Sequence, residues 1–169
     1  KKDNGYLEYD YLCASSLTYF FIEMLSMKIE CKINLKKYLI YILLATVCDV
    51  MPLRKLNRLL AIIALKEFRM LNNKVFNELY KLSDIRNKIN VNDLAYLIGP
   101  IINAGGRLGR SNLATELLSS NDNNHINEKS LELINLNKKR RKIENLILDG
   151  INYNELQIKG EDIITYYNP

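Results

Sequence analysis

Apolar residues recur along most of this chain at helical spacing. Leu12, Leu17, Phe20, Phe21, Met24 and Leu25 fall at steps that predict an amphipathic helix over residues 12–27. A second apolar run, residues 39–47, predicts a helix capped near Asn34 and redirected at Pro52. A third is expected over residues 55–70, with Leu56, Leu59, Leu60, Ile63 and Leu65 facing inward. A short fourth covers residues 74–82, and Asn92-Asp93 can cap another short helix through Ile98. Ser111 can cap a helix over residues 112–119, and residues 121–124 read as a turn.

The longest periodic segment starts at Ile126 and continues through Leu133, Leu136, Ile143 and Ile147. It predicts one long helix ending near Gly150. Residues 163–167, Ile-Ile-Thr-Tyr-Tyr, have strand composition. The chain begins without methionine and stops just after that lone strand, so it reads as an internal piece of a longer protein. No apolar stretch has the length of a membrane span or the form of a signal peptide.

Glycine breaks the helical pattern once. Four of the seven glycines lie within residues 99–109, Gly99-Pro100-Ile101-Ile102-Asn103-Ala104-Gly105-Gly106-Arg107-Leu108-Gly109. Read locally, this is a loop whose adjacent glycines turn N–H groups toward a ligand, with Arg107 as a planar fork for phosphate. Arg110 and the helix start near Ser111 would add to an anion site. A glycine-rich surface turn with two solvated arginines is the plainer reading.

Net charge of +5 suits a polyanionic partner without establishing one. Five consecutive basic residues, Lys138 through Lys142, lie in the long helix and wrap around its axis; they read as a solvated face or as a nucleic-acid contact. Cys13, Cys31 and Cys48 are odd in number and lack metal-ligand spacing, which fits free thiols in a reducing cytoplasm. The single histidine, His125, sits in a polar turn without a ligand partner other than Asp122. Asp49 ends an apolar run. It is either a cap for the turn into the next helix or a ligand for a hard divalent cation, and alone it cannot hold one.

Taken together, two motifs resemble one family. Ala45-Thr46-Val47-Cys48-Asp49-Val50-Met51-Pro52-Leu53 with Asn57-Arg58 is similar to the segment of RecJ exonucleases that carries their last metal-binding aspartate. Residues 98–109 resemble that family's Gly-Pro-Arg-Ile-Asn-Ala-Gly/Ala-Gly-Arg-Leu-Gly element, some sixty residues further on as in the family. Leu12-Cys13-Ala14, residues 113–118 and Leu136-Asn137-Lys138-Lys139-Arg140 extend the resemblance over nearly the whole chain. It implies the α/β fold of the DHH phosphoesterases, of which this chain would be a mainly α-helical part with a long connecting helix and a terminal strand. Residues 1–122 would complete the catalytic domain, residues 123–157 would form the connecting helix, and residues 158–169 would open a DHHA1-like domain.

The resemblance further implies 5′-to-3′ hydrolysis of single-stranded DNA to 5′-mononucleotides in repair and recombination, with Mn²⁺ or Mg²⁺. Asp49 would be the catalytic metal ligand of this chain, with the remaining ligands in a preceding segment. Arg107 would hold a DNA phosphate, and Asn103, Gly105 and Gly106 would shape its surroundings with Arg110 beside them. Where the family has arginine after Gly-Pro, this chain has Ile101, so one cationic contact is missing. The isolated chain is expected to be inactive. Two other readings remain: a related phosphoesterase acting on short oligonucleotides or cyclic dinucleotides, and a non-catalytic basic module that binds nucleic acid.

Overall fold

The computed structural model describes residues 9–85 and 88–151. Every regular element among them is helical: α1 (Ala14–Lys28), α2 (Leu39–Cys48), α3 (Lys55–Glu67), α4 (Lys74–Leu82), α5 (Val91–Asp93), α6 (Gly99–Arg107), α7 (Leu113–Ser119) and α8 (Asn123–Asp149). The expected strand at residues 163–167 lies outside the described residues, as does the boundary at 158.

α2 occupies the middle of the fold because it is apolar on all sides. Leu39, Ile40, Ile42, Leu43, Leu44 and Thr46 are all buried, and α1 and α3 pack on it. α4 buries one face, Val75, Phe76, Leu79 and Tyr80, against α8. α8 runs along α4, α6 and α7, with Ile126 and Leu133 in the core. A chain of charges, Arg110–Glu132–Lys129–Glu116, ties α7 and the preceding turn to α8 on the outside. Asp122 caps α8 by accepting a hydrogen bond from the His125 N–H at 2.7 Å, while the His125 ring meets Ser120 Oγ at 3.1 Å. His125 therefore serves the helix start.

Two inward faces differ from the sequence expectation. In α3 the buried residues are Asn57, Leu60, Ala61 and Ala64, whereas Leu59 is half exposed. The face is rotated because α2 approaches closely over small side chains, and Asn57 is anchored by polar bonds that hydrophobic periodicity does not register. In α1, Leu17, Phe21 and Met24 are exposed, and among the described residues nothing covers them.

The glycine segment is the largest correction. Residues 99–109 are not a loop: they form α6 and its closing turn. Asn90 caps α5 through a reciprocal pair of hydrogen bonds with Asp93, and a π-helical turn (Leu94–Ile98) leads straight into α6. Only Gly109, at φ +77°, uses the left-handed freedom of glycine in this segment. Gly99 and Gly105 instead permit close packing. A Cβ on Gly99 would collide with Cys48 Sγ, and one on Gly105 would lie 2.6 Å from the Arg110 carbonyl oxygen.

Candidate nucleic-acid interface

Three elements converge around Arg107. α2 brings its last residue, Cys48, against Gly99 at the start of α6. α6 carries Asn103 and Arg107 one turn apart on its exposed side. α8 crosses α6 and contributes Arg140. Together Cys48, Ala95, Gly99, Pro100, Asn103, Arg107 and Arg140 line a cleft of about 180 Å³ that contains two guanidinium groups and no carboxylate. A shallower groove of about 380 Å³ begins at the same two arginines and follows α8 past Ile143, Ile147 and Leu148. Arg107 and Arg140 thus stand where the two depressions meet.

Arg140 is the one residue of the basic run turned toward this cleft; Lys138, Lys139, Arg141 and Lys142 are exposed. Its Nε donates to Asn137 Oδ1 at 3.4 Å and its guanidinium pairs with Glu144 at 3.0 Å. Asn137 is itself buried, so these bonds fix the arginine rather than merely decorate it. Periodicity alone could not select Arg140, because which side of α8 meets α6 is decided by packing.

The other sequence candidates are distributed as follows. Gly106 is open: a Cβ there would meet nothing within 4 Å, which leaves the helix backbone beside Arg107 accessible. Gly105 is buried behind it. Arg110 does not line the cleft, its guanidinium being paired with Glu132. Ile101 is in the hydrophobic core, so the position where the family pattern has arginine here faces inward. The helix expected to begin at Ser111 is α7, whose Asn112 cap leaves the helix N–H groups alone and donates instead to the Glu116 carboxylate. The cleft therefore offers two guanidinium groups and no glycine nest.

Asp49 follows Cys48 directly as the C-cap of α2 and is exposed. α2 closes with Val50 N–H bonded to Val47 O and Met51 N–H bonded to Thr46 O, the paired bonds of a Schellman ending. The residue that usually takes the left-handed position in such an ending is glycine, but here it is Val50, at φ 54°. Asn57 holds the following segment by donating to Tyr11 O at 2.6 Å and Pro52 O at 3.1 Å. Cys13 Sγ meets Thr46 Oγ1 at 3.5 Å and ties the start of α1 to the same end of α2. The carboxylate is thus presented on a backbone that is pinned on both sides, and it is not capping α3, whose N-cap is Arg54.

Asp49 also acts on its neighbour. Burial, reinforced by the Asp49 charge, pushes the Cys48 thiol up to about 11. A raised value means that Cys48 keeps its proton at pH values where an ordinary thiol has lost it. On a pH series of alkylation followed by mass spectrometry, exposed Cys31 should react first and Cys48 only as the pH nears that value. Asp49→Asn removes a negative charge and should lower the onset for Cys48. An onset unchanged by Asp49→Asn would separate the carboxylate from the thiol.

The chain resembles curated single-stranded-DNA-specific exonucleases named RecJ. The match to the Haemophilus influenzae protein is 33% identical over 119 residues, 68% of this chain and 20% of that protein. The match to the Bacillus subtilis protein is 34% identical over 108 residues, 63% of this chain and 14% of that one. The fold superimposes on crystal structures of Thermus thermophilus RecJ. The Mg²⁺ complex aligns with TM-score 0.65 at 26% identity, covering 74% of this chain and 20% of that one. The Mn²⁺ complex aligns with TM-score 0.66, covering 75% and 19%.

The chain is a RecJ-type segment.

It spans about a fifth or less of the length of the RecJ proteins it matches. No protein-family model matches it. The helical architecture is that of the matching part of RecJ. Among the described residues no helix is long and apolar enough to cross a membrane. Among the same residues, no group of three or more His, Cys, Asp or Glu is placed to hold a metal. The Thermus thermophilus RecJ structures hold Mg²⁺ and Mn²⁺, whereas the described residues of this chain present carboxylates such as Asp49 only singly. They do not build a metal centre by themselves.

Proposed function

We propose that this chain is the part of a 5′-to-3′ single-stranded-DNA exonuclease that grips the DNA backbone and contributes one metal-ligand carboxylate. Arg107 and Arg140 bind phosphate, Asn103 and the bare face of Gly106 line the approach, and Asp49 is the ligand. The other ligands belong to parts of RecJ-type proteins outside these 169 residues. The observation that carries this reading is the convergence of two guanidinium groups in one cleft beside the end of α2, with Arg107 in no ion pair among the described residues and Arg140 held in place by Glu144 at the rim. Paired guanidinium groups match phosphate in both charge and geometry. The grooves that meet at the arginines give a strand room to pass.

The isolated chain accordingly binds single-stranded DNA and does not degrade it. Arg107→Ala should weaken that binding by roughly ten- to a hundredfold, the worth of one or two charge-assisted hydrogen bonds. It should also flatten the dependence of log affinity on log salt by about 0.7 for each phosphate that is no longer neutralised. Fluorescence anisotropy of a labelled oligonucleotide over a salt series measures both quantities. An affinity and salt slope equal to those of the unmodified chain, with helicity retained, would remove Arg107 from the DNA interface.

A further inference from the structure

A larger cleft, of about 480 Å³, shares no residue with the Arg107 site. It is walled by the 3₁₀ turn before α2 (Leu35–Tyr38), the segment after α3, the first residues of α4 and the turn after α7. Four cationic side chains reach it, Lys36, Lys37, Arg69 and Lys74, against the single carboxylate of Glu67. Among the described residues none of the four forms an ion pair. Lys74 Nζ donates instead to the Asn121 carbonyl oxygen at 2.8 Å, and Arg69 donates to the Lys66 and Phe68 carbonyls at 2.7 and 3.1 Å. All four residues are exposed, and a cleft lined by one sign of charge focuses its field and raises the local concentration of anions.

The same groove has an aromatic wall. Tyr38 is 44% exposed at its edge, with Lys37 Nζ 4.9 Å from the ring centroid. Behind it Tyr41 packs at 6.4 Å, and its hydroxyl accepts a hydrogen bond of 2.9 Å from Asn73, the N-cap of α4. Tyr41 in turn meets Phe76 in the core at 5.7 Å. Tyr41 thereby braces Tyr38 from within, while Lys37 rests over the Tyr38 ring and would move to a phosphate as a base takes its place. A free inorganic anion would use the lysines and leave Tyr38 idle. A nucleoside phosphate uses both, with phosphate on the cations and base on the ring.

We propose that this groove is a second, independent site for a nucleoside phosphate unit, either a free 5′-mononucleotide or one nucleotide of a single strand. The proposal does not rest on the Arg107 reading. Amide shifts of the ¹⁵N-labelled 169-residue chain are followed on adding thymidine 5′-monophosphate, a short oligothymidylate, or inorganic phosphate. Saturable shifts at Lys37, Tyr38 and Asn73 are expected with a nucleotide. A response to the mononucleotide identifies the free ligand as the source, and a response to the oligonucleotide alone identifies the strand. The double variant Lys36→Glu/Lys37→Glu, at exposed positions that leave the fold intact by circular dichroism, should weaken the response about tenfold or more. Arg107→Ala should leave it unchanged. Shifts confined to the Arg107–Arg140 cleft would overturn the proposal. So would a response to phosphate as strong as to nucleotide, or full affinity in the double variant.

Discussion

Gly99→Ala is expected to be among the most destabilising single-methyl changes in the chain. The added Cβ would collide with Cys48 Sγ and lie 2.9 Å from the Leu94 carbonyl oxygen, so α2 and α6 could no longer meet at their present separation. Overpacking of this kind costs about 2–3 kcal/mol. In a chain of this length that is a fall in Tm of roughly 5–10 °C. Gly106→Ala is the internal control, since its Cβ meets nothing within 4 Å. It should be neutral or raise stability by up to about 1 kcal/mol, because alanine is the better helix former. Cys48→Ala removes one of the two atoms in the way, so it should recover part of the loss when combined with Gly99→Ala. Thermal melts of the four variants read the pattern. Equal Tm values for Gly99→Ala and Gly106→Ala would mean that the α2–α6 approach is not as tight as described.

The contrast between these glycines shows where the sequence is readable. α4 and α8 are legible to within a few residues. α4 has a clean apolar stripe, Val75, Phe76, Leu79 and Tyr80. α8 has an aspartate cap that operates locally, and it ends at Gly150 as expected. The segment at 99–109 is not legible, because four glycines in eleven residues carry the local signature of a loop. Gly99 and Gly105 let Cys48 and Leu133 approach α6, and those partners lie far away in sequence. Tertiary packing overrides weak helix propensity at such sites.

The inward face of α3 escapes periodicity for a related reason. Buried Asn57 is held by the carbonyls of Tyr11 and Pro52, and a polar residue at a core position does not register as part of an apolar stripe. Of the site, Arg107 and Asp49 can be picked out from motif chemistry. The selection of Arg140 from five consecutive basic residues cannot, because it requires knowing which side of α8 meets α6.

Asp49→Ala should separate stability from activity. The carboxylate sits at the C-terminal end of α2, where the helix dipole is negative, and a negative side chain there is unfavourable by about 0.3–1 kcal/mol. The adjoining Val50 is held at φ 54°, a further cost for a β-branched residue. The Val50 backbone closes α2, but the Asp49 carboxylate caps neither flanking helix. In the isolated chain, therefore, Asp49→Ala should leave Tm unchanged or slightly raised. In a full-length RecJ-type enzyme carrying this segment, the reading proposed above requires the opposite response in rate. A loss of about a hundredfold or more is expected, as for removal of one group that stabilises developing charge. Two measurements decide it: a melt of the chain, and single-turnover hydrolysis of single-stranded DNA by the intact enzyme. A lowered Tm with near-normal turnover would return Asp49 to the structural role of a helix end. An undiminished Tm with turnover lost would leave coordination of the cation as the reason for placing an acid where the helix disfavours one.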